Sequence, residues 1–139
     1  MFQVRLRAML AKAVIAVVAV AAVVTLPVHA QSQGDVGALN SQVEQLSNDG
    51  KYPQATPIAE QALALGERTL GPDHPETLRS VKNLGDLYQS QGRNDEAERL
   101  FKRALEARER VLGPDHLDTL VSVNDLAVLY QIEKRYAEA

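Results

Sequence analysis

The stretch LGPDHPETL at residues 70–78 returns as LGPDHLDTL at 112–120, with 7 of 9 positions identical across an interval of 42 residues. A loop that presents His and Asp twice could be a paired binding site, or it could be the joint between copies of one structural unit. The surrounding sequence decides, because a repeated unit must extend beyond its joint. Residues 80–97 and 122–139 agree at 9 of 18 positions, among them Ser80/Ser122, Val81/Val123, Leu84/Leu126, Leu87/Leu129, Tyr88/Tyr130 and Ala97/Ala139. In the other direction, residues 53–70 and 95–112 share Ala55/Ala97, Ala62/Ala104, Leu63/Leu105, Glu67/Glu109, Arg68/Arg110 and Leu70/Leu112. From about residue 38 onward the chain is one unit written about two and a half times, as 38–79, 80–121 and a shortened 122–139.

Each unit reads as two helices. In the second helix of the central copy, Ala97, Leu100, Phe101, Ala104, Leu105, Val111 and Leu112 recur at steps of three and four, an apolar stripe of helical period. Its other face pairs Asp95 with Arg99, Glu98 with Lys102 and Glu106 with Arg110, acid first at i,i+4, each worth about 0.3 kcal/mol. That pattern describes a solvated helix face and requires no ligand. The preceding helix carries Leu78, Val81, Leu84, Leu87 and Tyr88, with Gly85 where a close neighbour must fit. Turns around Gly50 and Gly92 are short, so the helices of a unit pack as antiparallel pairs and the fold is all-α. Pro57, inside the first copy's second helix, predicts a late helix start or a mild kink.

The joint itself has a structural reading. Gly71 follows the last apolar residue, Leu70, and Pro72 prevents continuation of the helix. Asp73 is then expected to cap the next helix with Glu76 three residues later, leaving His74 on the surface of the first turn; Asp115 and Asp118 repeat the arrangement.

The N-terminus has a different grammar. Arg5, Arg7 and Lys12 precede 14 apolar or near-apolar positions, Ala13 to Leu26, followed by Pro27 and the small residues Val28 and Ala30. This is the order of a secretory signal peptide over residues 1–30 with cleavage after Ala30. An uncleaved anchor is the alternative, but the run falls short of the roughly 20 residues needed to cross a bilayer. Residues 31–37 read as a polar linker. The expected location is therefore periplasmic or secreted, with membrane contact only through the signal during export. Removal of residues 1–30 leaves 12 basic and 18 acidic residues, a net charge of −6, which argues against a nucleic-acid partner. There is no Cys, so export brings no disulfide framework.

At this level of detail the repeats resemble the tetratricopeptide repeat family. Val81, Leu84-Gly85, Tyr88, Ala97, Phe101 and Ala104 match its signature spacing, departing only where Trp is usual. Val123, Leu126-Ala127, Tyr130 and Ala139 match in the third copy, while the first is degenerate, with Gln42 and Leu46 at the Leu and Tyr positions. The period of 42 with LGPDHP between copies is similar to the kinesin-light-chain subgroup and to exported bacterial arrays. The resemblance implies a right-handed α-solenoid over residues 38–139. It also implies a non-catalytic scaffold that binds a protein or peptide in a concave groove lined by the first helix of each pair. Arg79, Lys82, Asn83, Asp86 and Gln89, then Val121, Asn124, Asp125, Val128 and Gln131, occupy the groove positions, and Asn83, Asn124 and Gln89 are suited to bonding an extended peptide. With Asp86, Asp125 and Val128 where carboxylate-clamping repeats carry basic residues, acidic C-terminal peptides are not expected ligands.

Chemistry beyond binding finds little support. His74 and His116 sit on successive copies, expected roughly 10 Å apart by helix packing, whereas a zinc ligand must lie within about 2.1 Å of the metal. No Ser or Cys nucleophile accompanies them and no phosphate loop occurs, so neither catalysis, metal nor cofactor is expected. The sequence ends about one turn into the second helix of the third copy. That ending raises two further expectations, self-association through an uncovered last repeat and a role as the regulatory or recruiting arm of a larger protein. The resemblance extends the second to a caspase-like protease domain.

Overall fold

The computed structural model describes residues 28–138, and five helices account for them: α1 Val28–Asn48, α2 Tyr52–Thr69, α3 Pro75–Ser90, α4 Asn94–Leu112 and α5 Leu117–Glu138. The chain divides after Gln31, and the repeats form the unit Ser32–Ala139. Residues 1–27, which carry the apolar run of the expected export signal, lie outside the described residues.

Within the repeat unit each core is made by successive helices, with Leu100 of α4 also packing against the first. Val43 and Leu46 of α1, Ala55 and Ala59 of α2, and Leu84 and Leu87 of α3 form the first core. Tyr88 of α3, Ala97 and Phe101 of α4, and Leu126 and Leu129 of α5 form the second. Small residues on the second helix of each pair receive large ones from both neighbours. Gly85 shows how tight the fit is: a Cβ there would sit 2.6 Å from Phe101 Cε1. The close neighbour that the sequence requires at Gly85 is the Phe101 ring.

Four local features differ from the sequence reading. Residues 31–37 are not a linker but the first turns of α1. Val36, Asn40 and Val43 are fully or almost fully buried at steps of four and three, so the apolar stripe of α1 starts upstream of residue 38. Pro57 does not delay α2, which begins at Tyr52 with Pro53 in its first turn and runs through Pro57.

The third difference concerns the joint. The N-cap of α3 is His74, not Asp73, and its Nδ1 accepts the Glu76 backbone N–H at 3.2 Å. His116 does the same for Asp118 N at 3.1 Å. Pro75 takes the first helical position, so Asp73 stands one residue too early to cap. It accepts instead from Arg110 Nη2 at 2.7 Å. Glu76 does not close a capping box either; its Oε2 accepts from Asn40 Nδ2 at 3.1 Å.

Finally, the third copy shows no second helix among the described residues. Gly50 and Gly92 turn the chain between paired helices at φ 72° and 74°, a conformation that side chains rarely adopt. The equivalent position in the third copy is Lys134, and there α5 continues unbroken to Glu138.

Candidate binding face

The first helices of the successive pairs, α1, α3 and α5, are joined directly by polar side chains, and the expected site residues lie along these contacts. Arg79 forms a two-pronged ion pair with Glu44 of α1, Nε to Oε1 and Nη2 to Oε2, both at 2.8 Å. A weaker contact runs from Arg79 Nη1 to Glu76 Oε2 at 3.5 Å. Asn83, buried, donates from Nδ2 to the same Glu44 at 3.4 Å. Lys82 reaches Asp86 at 2.8 Å and, across to α5, Asp125 at 3.6 Å. Gln89 is half-buried further along α3, while Asn124, Val128 and Gln131 are exposed on α5.

These contacts set the electrostatics. Hydrogen bonding from Arg79 holds the Glu44 carboxyl below the ordinary carboxylate range, with its charge and Asn83 adding to the effect. Burial pushes the Asp86 carboxyl up, the Lys82 ammonium pulls against that rise, and Asp125 adds to it. Two cations, Arg79 and Lys82, thus stand among four carboxylates, those of Glu44, Glu76, Asp86 and Asp125. The face is net acidic because Glu44 of α1 and Asp125 of α5 add to an α3 that is balanced at these positions.

It changes character toward α5. In the 42-residue register Arg79 becomes Val121, Lys82 becomes Asn124 and Asp86 becomes Val128. Val121 and Val128 are exposed, so the charged ladder of α3 gives way to aliphatic surface. Sequence reading missed Glu44, the carboxylate that holds both Arg79 and Asn83. It was legible in principle, because Glu44 lies 42 residues before Asp86 and so occupies the same register position in the degenerate first copy. Asn40, which donates to Glu76 O at 3.0 Å and accepts from Ser80 Oγ at 2.8 Å, was equally unmarked.

The histidines are not brought together as ligands. Each caps the helix that follows it, and no group of three or more His, Asp or Glu among the described residues could hold a metal ion.

The architecture defines a helical-repeat scaffold: stacked helix pairs with a polar and aliphatic face across their first helices. The chain belongs to the tetratricopeptide repeat family, whose model matches residues 35–110 and 80–139. Solved structures agree. The chain is 25% identical to a Podosopora anserina protein of kinesin-light-chain type with nearly identical TPR-like repeats, with a TM-score of 0.67 over 76% of this chain and 50% of that one. It is 20% identical to BtubC (BKLC) from P. vanneervenii, with a TM-score of 0.67 over 70% of this chain and 39% of that one. The chain therefore spans half or less of the length of either relative. No curated protein matches it.

Proposed function

We propose that the chain is an exported, non-catalytic scaffold whose α1–α3–α5 face binds a protein segment. The observation that carries this reading is the face itself, an acidic ladder from Glu44 to Asp125 adjoining the exposed aliphatic Val121 and Val128. Interaction surfaces combine such apolar contacts with polar groups that fix orientation. The charge balance favours a segment that offers Lys or Arg next to an aliphatic residue, and disfavours acidic tails. It also disfavours nucleic acid, whose phosphates need a basic surface.

The test is binding of immobilised peptides that differ only in replacing Lys by Glu beside a Leu pair. The basic set is expected to bind, with affinity lost in Val128→Asp and reduced in Asp125→Lys. Equal retention of the acidic set, or unchanged binding in both variants, would sink the assignment.

Export rests on Arg5, Arg7 and Lys12 before the apolar run and on Ala30 at the cut. Mass spectrometry of the secreted form is expected to find Gln31 as its first residue. A second reading has specific support in the exposure of Leu120, Val123 and Tyr130 on α5, since the equivalent Leu78 and Val81 of α3 are buried. It makes the chain the regulatory or recruiting arm of a larger protein, for instance one with a caspase-like protease domain, or a self-associating repeat. Sedimentation separates the last of these, because self-association alone predicts a mass that rises with concentration.

A further inference from the structure

The second joint differs from the first in one buried side chain. Gly66 becomes, 42 residues later, Arg108, which is only 9% exposed. Both of its hydrogen bonds leave from Nη1, to Asp118 O at 3.2 Å and to Ser122 Oγ at 2.7 Å. Both acceptors are neutral. Nε and Nη2 make no hydrogen bond among the described residues, and no carboxylate there lies within ion-pair distance.

A guanidinium is permanently charged and carries five donors, and a buried charge without a counter-ion is unfavourable. Arg108 also lines a cavity of about 210 Å³ with Pro75, Leu78, Val111, Leu112 and His116. Two carboxylates border the cavity, but Asp73 is engaged by Arg110 and Asp118 is directed to solvent beside His116, with its side chain 62% exposed. The rim is mixed: Val111 and Leu112, exposed at 54% and 40%, stand beside Asp73, His116 and Asp118. A hidden cation lacking its anion, a cavity beside it and aliphatic side chains on one part of its rim converge on one ligand chemistry.

We propose that this cavity binds a small carboxylate bearing an aliphatic group. Its oxygens lie on Nε and Nη2 of Arg108, in the parallel two-bond geometry that Arg favours, and its alkyl part lies against Leu78, Val111 and Leu112. The volume is below the roughly 300–1,000 Å³ of drug-sized sites, so the ligand is residue-sized. A C-terminal aliphatic residue of a peptide and a free short-chain acid share this chemistry. The site lies at the repeat joint, apart from the α1–α3–α5 face, and is independent of the reading of that face.

Titration of the full chain, followed by NMR, with N-acetyl-leucine, N-acetyl-leucinamide and isocaproate tests the proposal. The two acids are expected to shift the resonances of Val111 and Leu112, and the amide to bind at least about tenfold more weakly, the worth of one charged hydrogen bond. Tighter binding of N-acetyl-leucine assigns the site to peptide termini, and tighter binding of isocaproate to free acids. Arg108→Lys keeps a donor for Ser122 but loses the fork, and should weaken the acids about tenfold. Val111→Asp, at an exposed position, should weaken them similarly without moving the thermal midpoint. Equal binding of acid and amide, absence of shifts at Val111 and Leu112, or wild-type affinity in both variants would overturn the proposal.

Discussion

The two joints, 70–78 and 112–120, share their backbone course and their histidine caps but not the side chain that ties them down. In the first, Asn40 from the preceding pair's first helix bonds Glu76 O and Ser80 Oγ. In the second, the equivalent carbonyl Asp118 O accepts from Arg108, from the helix just before the joint, and Ser122 Oγ accepts from the same side chain, whereas Ser80 Oγ donates to Asn40. Asn40's own register equivalent is Lys82, which has turned to Asp86 and Asp125 instead. Thr77 and Thr119 follow the same split. Thr119 Oγ1 donates to Gly113 O at 2.8 Å, whereas Thr77 Oγ1, buried, has no partner and lies where a Cβ on Gly66 would meet it at 2.8 Å. A repeat unit thus conserves the geometry of its joint while the donor that satisfies it moves between helices.

Variants can break this comparison in order of expected size. Phe101→Ala strikes the second core, between α3, α4 and α5, and should cost about 3–5 kcal/mol in denaturant unfolding. Gly85→Ala presses a methyl group into the same ring and should cost about 1–3 kcal/mol, whereas Ala127, its exposed equivalent, should accept Gly with less than about 1 kcal/mol. Arg108→Ala and Asn40→Ala each strip a buried joint of its donor, for about 1–3 kcal/mol apiece, and their effects should add because the two joints share no partner. A strongly non-additive double variant would show that the joints are coupled. His74→Ala should cost about 1 kcal/mol, the usual worth of an N-cap, and His116→Ala about the same; a large asymmetry would mean that one histidine does more than cap.

The smallest effect depends on pH. Glu44 titrates lower in the folded chain than unfolded, so its contribution is present above the ordinary carboxylate range and lost as pH falls through its depressed folded value. Glu44→Gln should therefore lower stability near neutrality by about 0.2–1 kcal/mol, as befits a partly exposed pair, and the difference should vanish in acid. Asp86 has the opposite sign. Its folded pKa is raised, so it disfavours folding above that value and relaxes as pH falls through it. Asp86→Asn should accordingly stabilise the neutral protein slightly and leave the acid limb unchanged.

Much of this fold is legible in the sequence because repetition marks it: the register of 42, the helix pairs, and the close approach at Gly85 all follow from comparing one copy with the next. What escapes is what differs between copies or depends on one residue of phase. The cap falls on His74 and His116, one residue beyond Asp73 and Asp115, whether Pro75 or Leu117 opens the helix, so one residue of phase separates the expected cap from the observed one. The run-on of α5 follows from Lys134 standing where Gly92 turns. The pairs Glu44–Arg79 and Asn40–Ser80 span 35 and 40 residues, and no local pattern announces them. The face itself was placed by the family resemblance; its internal pairing, acidic balance and aliphatic end required coordinates.

The central functional claim is that binding belongs to the first helices of the pairs. Amide chemical-shift mapping of the labelled chain with a Lys-Leu-Leu peptide is its most direct test. Perturbations concentrated at Glu44, Asp86, Asp125 and Val128, with α2 and α4 silent, are the predicted result. Perturbations confined to the exposed faces of α2 and α4 would contradict it.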